Sequence, residues 1–218
     1  MNATAKPPAS KAPVIWIGVL VVVVIAGVVA IVAAKGSNKK EAEKVTAASI
    51  APVTITGAPL PAMPQAGEDT AIGMTLPQID GTSLEGKPMT IGPDGKAKLI
   101  MGVAHWCPHC QREVPIVVDH LKDSPMPDDV ELVGVSTSVK PDADNYPPTA
   151  WLKREGFPAP VMADNNKGEA GGAIGLSSFP YFLAVDADGK VVQRTSGEIT
   201  MEQFDALVKA AQTGKAQG

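Results

Sequence analysis

The sequence contains little cysteine, few aromatic residues and no excess of positive charge. Only 2 of its 218 residues are cysteine, which is too few for a small domain held together by several disulfides. Lys and Arg number 19 against 23 Asp and Glu, so the formal charge is −4 and no nucleic-acid partner is expected. Because 44% of the residues are hydrophobic, the chain as a whole is not expected to be disordered.

Charge is also missing from one stretch near the N-terminus. No charged residue occurs between Lys11 and Lys35, and residues 14–34 form an uninterrupted apolar run. A helix of that length crosses a hydrocarbon core of roughly 30 Å at about 1.5 Å per residue. We therefore predict a transmembrane helix at residues 14–34, preceded by a short tail at residues 1–13. A cleaved signal peptide is the alternative, although its apolar core is usually only about 7–15 residues long.

Proline- and alanine-rich sequence follows the apolar run. Pro52, Pro59, Pro61 and Pro64 interrupt this stretch every few residues. Proline breaks helices and removes a donor from strand ladders, so we predict a linker at residues 35–70.

The remaining residues, 71–218, are predicted to form one α/β domain. Turn signals at residues 80–81 and 93–95 predict an early hairpin, and Asp188-Gly189 predicts a later one. Short apolar runs predict buried strands, and helical patterns alternate with them. The expected strands are at residues 98–103, 130–135, 181–185 and 190–194, and the expected helices at 107–120, 149–155, 168–174 and from 200 onward. This order indicates a three-layer α/β/α sandwich around a mixed sheet.

The two cysteines, Cys107 and Cys110, lie where a predicted strand gives way to a helix. Unpaired N–H groups and the helix dipole at such a helix start stabilise a thiolate at Cys107. Cys110, about one turn further on, can close a disulfide with it. The spacing predicts dithiol–disulfide exchange, in which Cys107 attacks a substrate disulfide and Cys110 resolves the mixed disulfide. No cofactor is expected, because the two sulfur atoms carry the electrons.

A metal site is the main alternative interpretation of the cysteine pair. Zinc usually takes four protein ligands, often from two paired motifs. The three histidines, His105, His109 and His120, all lie near the cysteines, and no second half-site follows them. No metal ion is therefore expected. A redox-inactive or metallochaperone-type binding module remains the alternative class of function.

Residues 106–115, which read Trp-Cys-Pro-His-Cys-Gln-Arg-Glu-Val-Pro, and residues 175–192 resemble the thioredoxin superfamily. Within it they resemble the membrane-anchored TlpA/ResA-type thiol–disulfide oxidoreductases, over residues 71–211. The resemblance implies the thioredoxin-like fold and protein thiols or disulfides as substrates. It also implies an unidentified electron-exchange partner in the membrane or outside the cytoplasm.

The same resemblance implies roles for particular residues. Pro180 is expected to follow a cis peptide bond and to stand opposite Cys107, where it forms a substrate groove with Phe179. Pro115 matches a helix-kinking proline of the family. Glu113 matches an acidic position of the TlpA/ResA branch and is expected to accept a proton during exchange. The alternative is that Glu113 is an ordinary solvated glutamate.

Four residues beside the cysteines are predicted to tune their redox chemistry: Trp106, Pro108, His109 and Glu113. The dipeptide Pro108-His109 resembles that of the oxidant DsbA, and an imidazole beside a thiolate favours the reduced form. Stabilising the reduced form makes the disulfide a better oxidant. TlpA/ResA-type proteins are generally reductants, so the wider resemblance implies the opposite direction.

The predicted location is the cell membrane, with a single span and the C-terminal domain outside the cytoplasm. Lysines flank the apolar run on both sides, so the positive-inside rule does not give the orientation. We place the domain outside because a tethered redox domain is most useful where no soluble glutathione or thioredoxin pool reaches it.

Overall fold

The computed structural model describes residues 52–217 of the chain. Its strands and helices, in chain order, are β1 (Thr54–Thr56), β2 (Gln78–Ser83), β3 (Pro88–Ile91), β4 (Ala97–Val103), α1 (Pro108–Asp123), β5 (Val130–Ser136), α2 (Pro148–Glu155), β6 (Val161–Ala163), α3 (Glu169–Ala173), β7 (Tyr181–Val185), β8 (Val191–Ser196) and α4 (Met201–Thr213). No helix among these is both long and apolar enough to cross a membrane. The transmembrane helix predicted at residues 14–34 lies outside the described residues.

The described strands form one mixed sheet in the order β1-β2-β6-β5-β4-β7-β8, and β3 pairs with β2. Strand β5 runs parallel to both β4 and β6, whereas β7 runs antiparallel to β4 and β8. Every residue of β4 is buried, so this strand is the centre of the sheet. Parallel strands need a crossover connection, and α1 makes the one between β4 and β5.

Side chains of β4 alternate between two apolar layers, as the period of a strand requires. Leu99 and Met101 belong to the layer formed with helices α1, α2 and α4. Ile100 points into the opposite layer, formed with α3 and the chain before β2. The thioredoxin-like α/β architecture is therefore confirmed, but among residues 52–217 only one short helix, α3, covers the second face. The N-terminal segment of the domain supplies the rest of that layer.

The second half of the predicted linker, from residue 54 onward, belongs to the domain. Strand β1 pairs antiparallel with β2, and the N–H of Leu60 donates to the carbonyl of Ala173 at 2.9 Å. Leu60 is buried, and Asp69 forms an ion pair with the buried Arg194. The linker boundary at residue 70 is therefore wrong. The prolines lie mainly in the irregular stretch between β1 and β2, where ladder hydrogen bonds are not needed.

The early hairpin exists, but its turn differs from the prediction. Asp80 and Gly81 lie inside β2, and the turn falls at Glu85-Gly86, where Gly86 has a φ of 76°. The position of Gly81 in the strand faces Met162, whose sulfur lies 3.5 Å from where a Cβ would be. The other predicted strands and helices of residues 98–213 are confirmed within a few residues, and a capping box formed by Thr200 and Gln203 begins α4.

Candidate active site

Cys107 is the N-cap residue of α1, immediately after the loop that leaves β4. Its backbone is extended, with φ −75° and ψ 119°, and its side chain makes no capping hydrogen bond. Pro108 is the first residue of the helix, where its missing N–H and fixed φ suit the position. The free N–H groups of the first turn and the helix dipole therefore act at the sulfur of Cys107.

The two cysteines differ in their surroundings. Both are free thiols in this structure; Cys107 is 6% exposed and Cys110 is 0% exposed. Burial raises the pKa of the Cys110 thiol well above its ordinary value, and the neighbouring Cys107 and Glu113 raise it further. Cys110 is therefore a protonated thiol at neutral pH, and it needs a proton acceptor before it can attack.

Glu113 lies inside the protein next to Cys110, not in solvent. It is 1% exposed, and burial raises the pKa of its carboxyl group. The N–H of Ile199 donates to Glu113 Oε1 at 3.3 Å and opposes that shift. The alternative of a solvated glutamate is wrong, and the proton-acceptor role of Glu113 stays a prediction.

The predicted substrate-groove residues come together beside the redox loop. The Phe179–Pro180 peptide bond is cis, as predicted. Strand β7 begins at the next residue, Tyr181, which pairs with Gly102 near the end of β4. Phe179 meets Trp106 edge to face, with ring centroids 6.1 Å apart. These contacts place an aromatic wall next to the segment that carries Cys107.

His105 connects the redox loop to the loop that follows β5, and sequence reasoning missed this role. The residue is fully buried; its Nδ1 lies 2.7 Å from the carbonyl of Asp144, and its Nε2 accepts the N–H of Lys140 at 3.0 Å. These partners require the hydrogen on Nδ1. Burial lowers the pKa of His105, and the nearby charge of Lys140 lowers it further, so the ring stays neutral.

The same loop also holds Trp106. Its Nε1–H donates to the carbonyl of Ser138 at 2.6 Å, and Lys140 Nζ lies 3.5 Å from the ring centroid.

The contacts of His105 also bear on the metal-site alternative, for which this histidine was a candidate ligand. Both of its ring nitrogens are occupied by backbone groups, the carbonyl of Asp144 and the N–H of Lys140. Within residues 52–217, no three side chains of His, Cys, Asp or Glu are grouped so that they could hold a metal ion.

His109 and Arg112 share a partner that no sequence spacing indicates. His109 Nδ1 lies 2.6 Å from Glu198 Oε1, and Arg112 Nε donates to the same oxygen at 3.0 Å. Arg112 and Glu198 also form an ion pair through Nη2. The carboxylate stands 89 residues from His109 in sequence, in the loop between β8 and α4.

A Cys-x-x-Cys pair at the start of a helix, beside a cis-proline loop on a mixed sheet, defines a thioredoxin-fold protein with a dithiol site. The family model described as Redoxin matches residues 71–209, more than half of the chain. The chain therefore belongs to the Redoxin family.

Comparison with known proteins narrows this class. The chain is similar to the thiol-disulfide oxidoreductase ResA of Bacillus thuringiensis (strain Al Hakam), with 27% identity over 143 residues, which cover 65% of this chain and 79% of that protein. A thiol:disulfide interchange protein of the thioredoxin family from Chlorobium tepidum TLS is 26% identical with a TM-score of 0.52, covering 64% of this chain and 96% of that one. The thioredoxin domain of a thiol-disulfide oxidoreductase from Bacteroides vulgatus shares the fold, at 18% identity, a TM-score of 0.51 and coverage of 65% and 99%.

Together these findings place the chain among TlpA/ResA-like members of the thioredoxin superfamily. It is a protein disulfide oxidoreductase, whose substrates are protein thiols and disulfides.

Proposed function

We propose that this protein is a membrane-anchored oxidoreductase that exchanges disulfides with proteins outside the cytoplasm through Cys107 and Cys110. The observation that carries the proposal is the contrast between the two thiols. Cys107 lies at the N-terminus of α1 and is the more exposed sulfur, whereas Cys110 is fully buried. This is the arrangement needed for one attacking and one resolving cysteine.

The exchange balances as a two-electron transfer. The Cys107 thiolate attacks one sulfur of a substrate disulfide, that S–S bond breaks, and the other substrate sulfur leaves as a thiolate. Cys110 then gives up its proton and attacks the Cys107 sulfur, which releases the second substrate thiol and leaves a disulfide on the enzyme. Running the same steps backward oxidises a substrate dithiol.

Glu113 is the group that we assign to the proton of Cys110. Both side chains are buried, and burial raises the pKa of each. A carboxylate with a raised pKa is a stronger base, so it is better matched to a thiol that holds its proton tightly. In the reverse direction the same carboxyl group returns the proton.

The net direction that we propose is oxidation of substrate dithiols. The redox loop carries His109, and the Arg112 guanidinium lies close enough to Cys107 for their charges to interact. Positive charge there favours the thiolate, hence the reduced form of the enzyme. We therefore expect a reduction potential nearer to about −120 mV than to about −270 mV.

Trapping of substrates tests the assigned roles of the cysteines. Cys110→Ser should accumulate mixed disulfides with client proteins, because the resolving thiol is gone, and Cys107→Ser should not. Non-reducing gels of cells that express each variant provide the measurement. The wild-type protein should also cycle fully between dithiol and disulfide. Failure to cycle would instead indicate the redox-inactive or metallochaperone-type module.

The membrane part of the proposal rests on the apolar run at residues 14–34, and it has its own test. The full chain should stay in the membrane fraction after alkaline carbonate extraction. A membrane-impermeant maleimide should label Cys107 in intact cells if the domain lies outside the cytoplasm. A soluble form that begins near Lys35 would establish a cleaved signal peptide instead.

A further inference from the structure

We propose that Arg112 and Glu198 are positioning residues that set the reactivity of Cys107 with opposite signs. The Arg112 guanidinium favours the ionised sulfur, while the Glu198 carboxylate holds the guanidinium against the redox loop and partly offsets its charge. This inference rests on the proposed exchange at Cys107 and names two residues that control it.

The geometry fixes the guanidinium in one place. Three nitrogens converge on Glu198 Oε1: His109 Nδ1 at 2.6 Å, Arg112 Nε at 3.0 Å, and Arg112 Nη2. Arg112 Nη2 also lies 2.9 Å from His109 Nδ1. A carboxylate only accepts, so the contact with Glu198 puts the imidazole hydrogen on Nδ1, and the Arg112 Nη2 contact with that nitrogen is then not a hydrogen bond; the shared Glu198 oxygen joins the two side chains. Arg112 is thus pinned to a residue of the redox loop itself.

Stability alone does not account for this cluster. The side chains of Arg112 and Glu198 are 54% and 36% exposed, and ion pairs this exposed contribute little to folding. Their effect on the neighbouring sulfur is the more direct consequence. The pKa of Arg112 is raised, first by its hydrogen bond to Glu198 and also by the charge of Cys107, so the guanidinium lies within electrostatic range of that sulfur.

Glu198 keeps its charge over the range in which a thiol titrates. Hydrogen bonds from Arg112 and from His109 hold the pKa of its carboxyl below the ordinary value. The other charged or titratable groups around the redox loop are Glu113 on the same helix, which lies inside, and Lys140 over the Trp106 ring. Neither contacts Glu198, but the charge of Glu198 helps to raise the pKa of Glu113, so the Glu198 variant is also measured together with Glu113→Gln.

The test measures the alkylation rate of Cys107 against pH in the full-length chain. Cys110→Ser leaves Cys107 as the only thiol, because the chain has 2 cysteines. In that background, Arg112→Gln should slow alkylation near pH 6 by about two- to fivefold, and Glu198→Gln should speed it by a similar factor. Arg112→Lys should restore most of the rate. Both effects should shrink in about 1 M salt, where the Debye length is only about 3 Å.

Lys122 and Asp119 provide a matched control on the same helix. They form an exposed ion pair at 2.7 Å near the other end of α1. Lys122→Gln and Asp119→Asn carry the same charge changes, and both should leave the alkylation rate unchanged. Thermal unfolding of each variant establishes that it is folded.

The decisive outcome is that Arg112→Gln and Glu198→Gln change the alkylation rate of Cys107 in opposite directions. A merely structural ion pair would make both variants change the rate in the same direction, which would overturn the inference, as would no change in either. Exchange with a disulfide substrate is measured separately in variants that retain Cys110. If that exchange fails while the alkylation rates shift with opposite signs, the proposed function is wrong and the charge effect stands.

Discussion

The candidate site has two halves that differ in their contact with water. His105, Cys110 and Glu113 are each at most 1% exposed, whereas the His109 and Arg112 side chains are more than half exposed. In the buried half, burial is the largest cause of every pKa shift: it raises the pKa of Cys110 and Glu113 and lowers that of His105. Each shift favours the neutral form.

In the exposed half, the side chains of Arg112 and Glu198 stay charged and form an ion pair, whereas burial favours the neutral forms in the buried half. The pKa of Glu198 is lowered by its bonds to Arg112 and His109, so the carboxylate stays ionised. Cys107 lies between the halves, at 6% exposure. The difference indicates a division of roles: the inner residues hold protons and fix geometry, and the outer residues act on Cys107 through charge. Raising the salt concentration should therefore weaken the effect of the outer residues on Cys107 and leave the effect of the inner residues unchanged, because salt screens only the exposed charges.

The largest expected effect is the loss of the buried imidazole in His105→Ala. The substitution leaves a cavity and removes the partners of the Lys140 N–H and the Asp144 carbonyl. We expect the free energy of unfolding in urea to fall by about 3 kcal/mol. His109→Ala, whose side chain is 59% exposed, is the control and should cost about 1 kcal/mol or less.

The pH dependence of stability provides a second measurement on His105. Its pKa is lowered by folding, so the unfolded chain binds the extra proton. The stability of the wild-type protein should therefore be lost as the pH falls below about 6.5. His105→Ala should lack this part of the slope. An unchanged slope would mean that the imidazole is not the buried neutral group that distinguishes the inner half.

The second effect concerns Glu113→Gln, which separates function from stability within the buried half. Because folding raises the pKa of Glu113, stability from this group is present below about pH 4.5 and is lost as the pH rises through the raised pKa. Glutamine has no carboxyl group to ionise, so the variant should be more stable than the wild type at pH 7. Resolution of a mixed disulfide by Cys110 should slow by about tenfold or more.

Chemical denaturation at pH 4 and pH 7 measures the change in stability. Single-turnover release of a substrate thiol measures the rate at which Cys110 resolves the mixed disulfide. Glu85→Gln, at an exposed position in the turn between β2 and β3, is the matched control and should change neither. A variant that is less stable at pH 7, or that resolves at the wild-type rate, would remove the assignment of Glu113 as the proton acceptor.

Sequence predicted the parts of the site that depend on local pattern. The buried strand before Cys107 and the helix after it follow from hydrophobic periodicity over a few residues. The cis bond before Pro180 came from the family resemblance, and the structure confirms it.

The missed features join residues far apart in the chain. His105 bonds to Asp144, 39 residues on, and Arg194 bonds to Asp69 across 125 residues. No periodicity indicates such partners, because they depend on how the sheet brings loops together. In the outer half His109 was predicted, but its partner Glu198 was missed for the same reason, because an exposed glutamate carries no sequence signal beyond its charge.

The smallest expected effect belongs to the exposed half, in His109→Pro. The substitution removes the imidazole that contacts Glu198, and proline is tolerated in the first turn of a helix. If the imidazole favours the reduced enzyme, the reduction potential should fall by about 20 mV, which is just under 1 kcal/mol because 30 mV correspond to about 1.4 kcal/mol. Equilibration of the full-length chain with glutathione buffers measures it.

Two comparisons decide what that shift means. His109→Gln also removes the imidazole but keeps an ordinary backbone, so an equal shift in both variants assigns the effect to the ring and not to the added proline. High salt should reduce the shift if charge carries it, in contrast to the buried half. A wild-type potential below about −250 mV that does not change in either variant would contradict the oxidising direction. In that case the exposed half would serve to orient substrates, and the buried half alone would set the chemistry of the two cysteines.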